Sequence, residues 1–286
     1  MLLSLTILVS LSLLFLSALH YGFRAPRIRE TKTPADFDLP FLEASIPTVS
    51  NKQLFGWLLP VKSSSETLII LHGWGGNAEL MLPLAVPFYR NGINILLIDA
   101  RNHGNSDSDT FSSLPRFAED LGAAIDWMKQ QHPERSTKIA VLGHSVGASA
   151  VIYEASKRED IQAVISISAF AHPEWLMQRF LKGLHWKKLS LPRPVINFIL
   201  NYIQWIIGHS FASIAPVHTI CNITAPILLV HGKDDSTVPV EDARAIVKHC
   251  PSPHIQLLEI DDAGHESVDK IEEHADKLVQ FLKHSF

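Results

Sequence analysis

The sequence predicts an α/β protein in which a mostly parallel sheet is covered by helices on both faces. Runs such as "TLIILHG", "INILLIDAR", "KIAVLG", "IQAVISIS" and "APILLVHG" are short and nearly continuously apolar, the composition of strands buried on both sides. They alternate with longer stretches of helical pattern, as crossovers between parallel strands require. The 286 residues, 47% hydrophobic and 19% charged, bury a sizeable core and exclude a disordered chain.

Taken in order, the chain opens with "MLLSLTILVSLSLLFLSALHYGF", about twenty residues without a charge and long enough to cross a hydrocarbon core as a helix. Residues 1–23 are therefore read as a transmembrane anchor. A cleaved signal peptide is the competing reading, against which no Lys or Arg precedes the apolar run and "LSALHYG" is a poor small-x-small cleavage site. Arg24, Arg27 and Arg29 follow at once, so the positive-inside rule places the remainder in the cytoplasm. Residues 24–43, with Pro26, Pro34 and Pro40, read as a linker. The main domain occupies 44–286. "EASIPTV" and "QLFGWLLP" are its first strands, and "NAELMLPLAVPFYRNG" is a helix between the strands "TLIILHG" and "INILLIDAR". Further helices are expected at 114–131, 145–157 and 241–249, with "IQLLEI" the last strand and 267–284 the last helix.

A formal net charge of −4 and the lack of a basic run exclude a nucleic-acid tail. Cys221 and Cys250 are the only cysteines, too few for a disulfide framework and not in a C-x-x-C motif. They read as two buried free thiols. No metal-ligand spacing or cofactor motif is present, so no cofactor is expected.

In such a sheet, ligands meet the loops at the carboxyl ends of the strands. There "AVLGHSVGAS" places Ser145 between Gly143 and Gly147, after a strand and before a helix. A chain that turns so sharply presents the serine hydroxyl above the sheet at a helix N-terminus, with the glycines leaving room for the close approach. A serine hydroxyl is a weak nucleophile and needs a base, which needs an orienting acid. "LLVHGKDDSTVP" places Asp234 and Asp235 past one strand, and "LLEIDDAGHES" places His265 past the next, giving the chain order Ser, Asp, His. Asp261 and Asp262 read as turn residues ahead of that histidine. An oxyanion needs two backbone N–H donors; Trp74 in "LHGWGGN" and Val146, next after the serine, are the candidates.

The series "LHGWGGN", "DARNHGNSDS", "GHSVG", "HGKDDSTVP" and the Gly264–His265 pair resembles that of the α/β-hydrolase superfamily, near its esterase, monoacylglycerol-lipase-like and serine-aminopeptidase-like branches. The resemblance runs from about residue 44 to the C-terminus. It implies an α/β-hydrolase fold, Ser145 as nucleophile, His265 as base and Asp235 rather than Asp234 as acid, and it points to Trp74 and Val146 for the oxyanion hole. Asp99, Arg101 and His103 look structural, holding the loop beside the site. Asn102 stands where relatives usually carry glycine.

Residues 172–216 lie where this superfamily inserts its cap. Arg179, Lys182, Lys187, Lys188 and Arg193 oppose only Glu174 there, a net +4 that leaves −8 on the rest of the chain. "VINFILNYIQWII" sets Asn197, Asn201 and Gln204 at helical spacing, a polar stripe expected to face water while the apolar face packs as a lid or meets a membrane. The sequence thus implies a membrane-anchored serine hydrolase that cleaves carboxylic esters, of lipid-like substrates where the cap admits them. An amidase or peptidase with the same residues is the alternative, as is a catalytically silent binding protein on this fold.

Overall fold

The computed structural model describes Ser10, Leu14, Ser17, Tyr21, Gly22 and residues 24–183 and 191–286. The anchor expected at 1–23 falls largely outside these residues, as do Lys187 and Lys188 of the cap. Among the described residues, no helix is long and apolar enough to cross a membrane.

Among the described residues, eight strands form one sheet in the order β1-β2-β4-β3-β5-β6-β7-β8. They are β1 (Leu42–Thr48), β2 (Lys52–Leu59), β3 (Glu66–Leu71), β4 (Asn94–Ile98), β5 (Lys138–His144), β6 (Ala163–Ile167), β7 (Ile227–Gly232) and β8 (Ile255–Ile260). β2 pairs antiparallel with β1 and β4, and the pairings from β4 through β8 are parallel.

Alternation within β3 and β4 divides their side chains between two cores. Ile69, Leu71, Leu96 and Ile98 pack on one face, and Leu68, Ile70, Ile95 and Leu97 on the other. The first face is covered by α2 (Leu114–Gln131), α3 (Val146–Ala155) and α8 (Val240–His249), through residues such as Phe117, Val151 and Ile246. α1 (Leu82–Arg90) and α10 (Ala275–Ser285) cover the second, through Phe88, Leu278 and Leu282. Buried on both sides, the central strands show the unbroken apolar runs that marked them in the sequence.

The helix expected over 77–92 opens as a tight turn, Glu79–Met81, before α1 begins. That expected over 267–284 is two, α9 (Val268–Glu272) and α10. The break comes at His274, whose carbonyl accepts the Lys277 N–H three residues on.

The described residues of the region 172–216 form α4 (Pro173–Gly183), α5 (Arg193–Ile207), α6 (Phe211–Ile214) and the start of α7 (Pro216–Thr219). Ile196, Ile199, Leu200 and Ile203 of α5 are buried with Leu181 and Phe211, as an amphipathic helix requires. Its outer face is not the simple polar stripe expected. Asn197 and Asn201 are exposed, but so are Phe198 and Trp205, the latter 76%, with Tyr202 stacked between them. Gln204 is half-buried because its Oε1 accepts the Phe211 N–H at 2.8 Å. The cysteines also differ from expectation. Cys221 is exposed and Cys250 half-buried, since both sit at helix ends on the rim of α7 and α8.

Residues 24–43, read from the sequence as a linker, lie along the domain, and β1 begins within them at Leu42. Arg27 Nη1 donates to the carbonyls of Gly104 and Ser106 at 3.0 and 2.7 Å. The Ile28 carbonyl accepts from Asn77, and Thr31 binds Glu79. These bonds strap the chain across the loops that follow β3 and β4, at the carboxyl edge of the sheet.

Candidate active site

Ser145 follows the last residue of β5 and has φ 56° and ψ −116°, a conformation that costs an L-residue about 1–3 kcal/mol. Its N–H is tied to the Ile167 carbonyl of β6 at 2.8 Å, and α3 begins at the next residue. The flanking glycines are steric necessities. A Cβ on Gly143 would overlap the Gly147 carbonyl, and one on Gly147 would overlap the carbonyls of Leu71 and His72.

The sheet order brings three distant residues together above this turn. His265 Nε2 is 2.9 Å from Ser145 Oγ, and His265 Nδ1 is 2.7 Å from Asp235 Oδ2. A carboxylate only accepts, so Nδ1 carries the proton and Nε2 offers its lone pair to the hydroxyl. Asp235 Oδ1 accepts the backbone N–H groups of Thr237 and Val238 at 2.9 and 2.7 Å. Burial alone would raise its pKa. Hydrogen bonding from His231 and His265 and from the Val238 N–H outweighs that and holds the carboxyl well below the usual range. Asp234, its neighbour, is exposed.

The loop after β3 is set by His72, whose Nδ1 donates to the Gly73 carbonyl at 2.7 Å while Nε2 accepts the Ala100 N–H at 3.0 Å. Burial, then the neighbouring His103, pushes this imidazole down to about 3, so it stays a neutral clamp between β3 and β4. Trp74 follows on that loop, and Val146 opens α3. Among the described residues, neither backbone N–H donates a hydrogen bond elsewhere. An oxyanion site requires two backbone N–H groups of this kind.

The loop after β4 carries the residues expected to be structural. Buried Asp99 accepts the N–H groups of Ala78 and Asn105, both at 2.8 Å. Arg101 binds Asp120, Asp109 and Glu119 at 2.7, 3.1 and 2.6 Å. His103 is buried, with Nδ1 3.0 Å from the Arg101 carbonyl. Asn102 adopts φ 70°, the left-handed region where relatives' glycine would serve, and asparagine tolerates it best among residues with a side chain. Its Oδ1 accepts the Asp109 N–H and its Nδ2 reaches Ser112, so the substitution keeps the turn.

Sequence reasoning missed two contributors. His144 stands within the nucleophile motif yet received no role, and the strap at 24–32 was read as a linker. Both act through partners far along the chain, which a local pattern does not show.

The family model described as "Serine aminopeptidase, S33" matches residues 62–201. An uncharacterized protein, YqkD of Bacillus subtilis, is 26% identical over 211 residues, covering 73% of this chain and 68% of its own. The uncharacterized membrane protein YNL320W of Saccharomyces cerevisiae is 23% identical over 237 residues, 82% of this chain and 76% of that one. Among solved structures, the esterase Pf2001 of Pyrococcus furiosus superimposes with a TM-score of 0.74 at 27% identity, covering 92% of this chain and 97% of its own. Est1E of Butyrivibrio proteoclasticus, solved with ferulic acid, gives a TM-score of 0.65 at 21% identity over 83% and 98% of the two chains. By fold, motif series and these relationships, the chain belongs to the α/β-hydrolase superfamily of hydrolases.

Proposed function

We propose that this protein is a membrane-anchored serine hydrolase that cleaves carboxylic esters through an acyl-enzyme. The observation that carries the reading is the continuous line from Asp235 Oδ2 through His265 to Ser145 Oγ, at 2.7 and 2.9 Å. Ser145 Oγ attacks the ester carbonyl carbon while its proton passes to His265 Nε2. The carbonyl oxygen becomes an oxyanion and takes the N–H groups of Trp74 and Val146. Collapse breaks the bond to the alcohol, which leaves with the proton from His265. Water then attacks the acyl-serine by the same route and gives its proton to His265, which returns it to Ser145 Oγ as the acid is released. Asp235 holds the imidazole in the Nδ1–H form and stabilises it when charged.

An esterase name on a relative that covers nearly the whole chain supports ester over amide. The family description as a serine aminopeptidase favours the second reading, an amidase or peptidase using the same residues. Lipid-like esters suit an enzyme whose N-terminus enters a bilayer and whose cap is basic and apolar. The uncharged stretch at 1–23 and the arginines behind it support an anchor with the hydrolase domain on the cytoplasmic side.

The test is active-site labelling. A fluorophosphonate should modify Ser145 in the full chain, and Ser145→Ala should abolish both labelling and hydrolysis of p-nitrophenyl esters. Labelling of another serine in that variant, or no labelling of the wild type, overturns the reading. Faster turnover of matched p-nitroanilides than of esters selects the peptidase alternative.

A further inference from the structure

The geometry points to His144 as a positioning residue that fixes the loop of the base to the strand of the nucleophile. The inference rests on the reading of Ser145 and His265 as nucleophile and base.

His144 ends β5, one residue before Ser145, and is buried. Its Nε2 lies 2.9 Å from the backbone carbonyl oxygen of His265, 121 residues away. A carbonyl only accepts, so Nε2 carries the proton and donates. The two imidazoles stand 5.3 Å apart, tilted by 44°. On its other side the ring meets the oxyanion loop. A Cβ on Gly73 would come within 3.0 Å of His144 Nδ1 and 3.2 Å of the Ser145 Cβ. One side chain thus touches the loop of the base and the loop of Trp74, and it grows from the strand that carries the nucleophile.

His265 needs such a tie. Its loop follows β8 at the sheet edge, and β6 and β7 separate that strand from β5. Nearby, the loop is held by Gly264 N–H on Ser267 Oγ at 2.9 Å, by Asp234 N–H on the Ala263 carbonyl at 3.0 Å, and by the imidazole's own bond to Asp235. The last of these fixes the ring but leaves its backbone free to swing. The His144 bond fixes the backbone on the serine's side. A shift of about 1 Å between reacting groups costs about a hundredfold in rate.

Neutrality suits the role. The titratable groups around His144 are His265, Glu266, Asp235 and His72, and burial followed by the positive form of His265 pushes its pKa down. A neutral donor can hold the carbonyl without opposing the positive charge that His265 gains when it takes the serine proton. Glutamine can supply an N–H at the same reach. Phenylalanine keeps the ring's volume and offers none.

The experiment compares the full chain in detergent micelles with H144Q and H144F. Two readouts are taken: the second-order rate of fluorophosphonate labelling with its pH profile, and amide hydrogen exchange of the segment 262–268. H144F should label about tenfold to a hundredfold more slowly and exchange faster in that segment, and H144Q should return both towards wild type. The proposal is overturned if H144F matches wild type in either readout. It is equally overturned if H144Q is as impaired as H144F, since the imidazole then serves only to fill space. Should the wild type fail to label while the exchange pattern follows expectation, the hydrolytic reading falls and the hydrogen bond stands.

Discussion

Arg179 in the cap grips Asp242 on α8 with both terminal nitrogens, at 3.0 and 2.8 Å, and the same carboxylate accepts the Ala171 N–H at 2.9 Å. One of the cap's positive charges therefore serves as a latch to the core and not as part of an open basic surface. Asp242 is buried and Arg179 about one-third exposed, so the pair is screened on one side only. Asp242→Ala should lower stability by about 1–3 kcal/mol, because it leaves a half-buried guanidinium and a buried N–H without their acceptor. It should raise KM more than it lowers kcat, since neither Arg179 nor Asp242 makes a hydrogen bond to Ser145, Asp235 or His265. Thermal unfolding and steady-state kinetics check both; an unchanged KM would show that the cap's docking does not shape the substrate site.

The choice between adjacent aspartates has a sharp outcome. Asp235→Asn should cost on the order of 10³–10⁴-fold in kcat, because an amide no longer enforces the Nδ1–H form of His265. The side chain of Asp234 is exposed, and Asp234→Asn should change kcat by less than about twofold. Kinetics on the two purified variants decide it, and the reverse order would move the acid to Asp234.

Glu30 in the strap and Asp99 beneath it form a carboxyl pair. Among the described residues Glu30 Oε1 is buried without a donor, and a Cβ on Gly104 would overlap oxygens of both carboxyl groups. A proton held on Asp99 supplies the missing donor. Burial first, and then Glu30, raises the Asp99 pKa well above the usual carboxylate range. A pKa raised on folding gives stability that is full below the unfolded value and lost as pH rises through the folded one. The melting temperature should therefore fall as pH is raised from mildly acid to alkaline. Glu30→Gln should flatten that fall, because the amide brings its own N–H. Thermal melts across pH for the two chains test it; equal slopes would remove the shared proton.

Membrane retention and the strap can be separated by two truncations. The full chain should stay in the membrane fraction through alkaline carbonate washing, held by apolar burial and not by charge. A chain starting at Arg24 should be released yet keep its melting temperature. One starting at Thr33 loses Arg27, Ile28 and Thr31, and should melt lower and label more slowly at Ser145, since the strap ties down the loop that carries Trp74. Identical behaviour of the two shortened chains would make the strap inert.

The sequence by itself determined the strands, most of the helices between them, the turn at Ser145 and the place of His265. Each of these is written in residues close along the chain: unbroken apolar runs for strands buried on both faces, glycines two residues either side of a strained serine, and a loop at a strand's carboxyl end. What only the tertiary structure decided involves partners separated by tens of residues. Asp234 and Asp235 have the same chemistry, and the resemblance alone favoured the second; the fold turns the Asp235 carboxylate towards His265 and leaves Asp234 in water. Asn102, standing where a glycine was expected, left the shape of its turn open until Asp109 and Ser112 were seen to take its side chain. His144 was one letter of a motif until β8 brought the His265 carbonyl to it, and the strap was a run with prolines until Gly104 and Ser106 received Arg27. Periodicity and turn chemistry act through neighbours in sequence, whereas these contacts depend on strand order, which brings residues 120 apart within a hydrogen bond of each other.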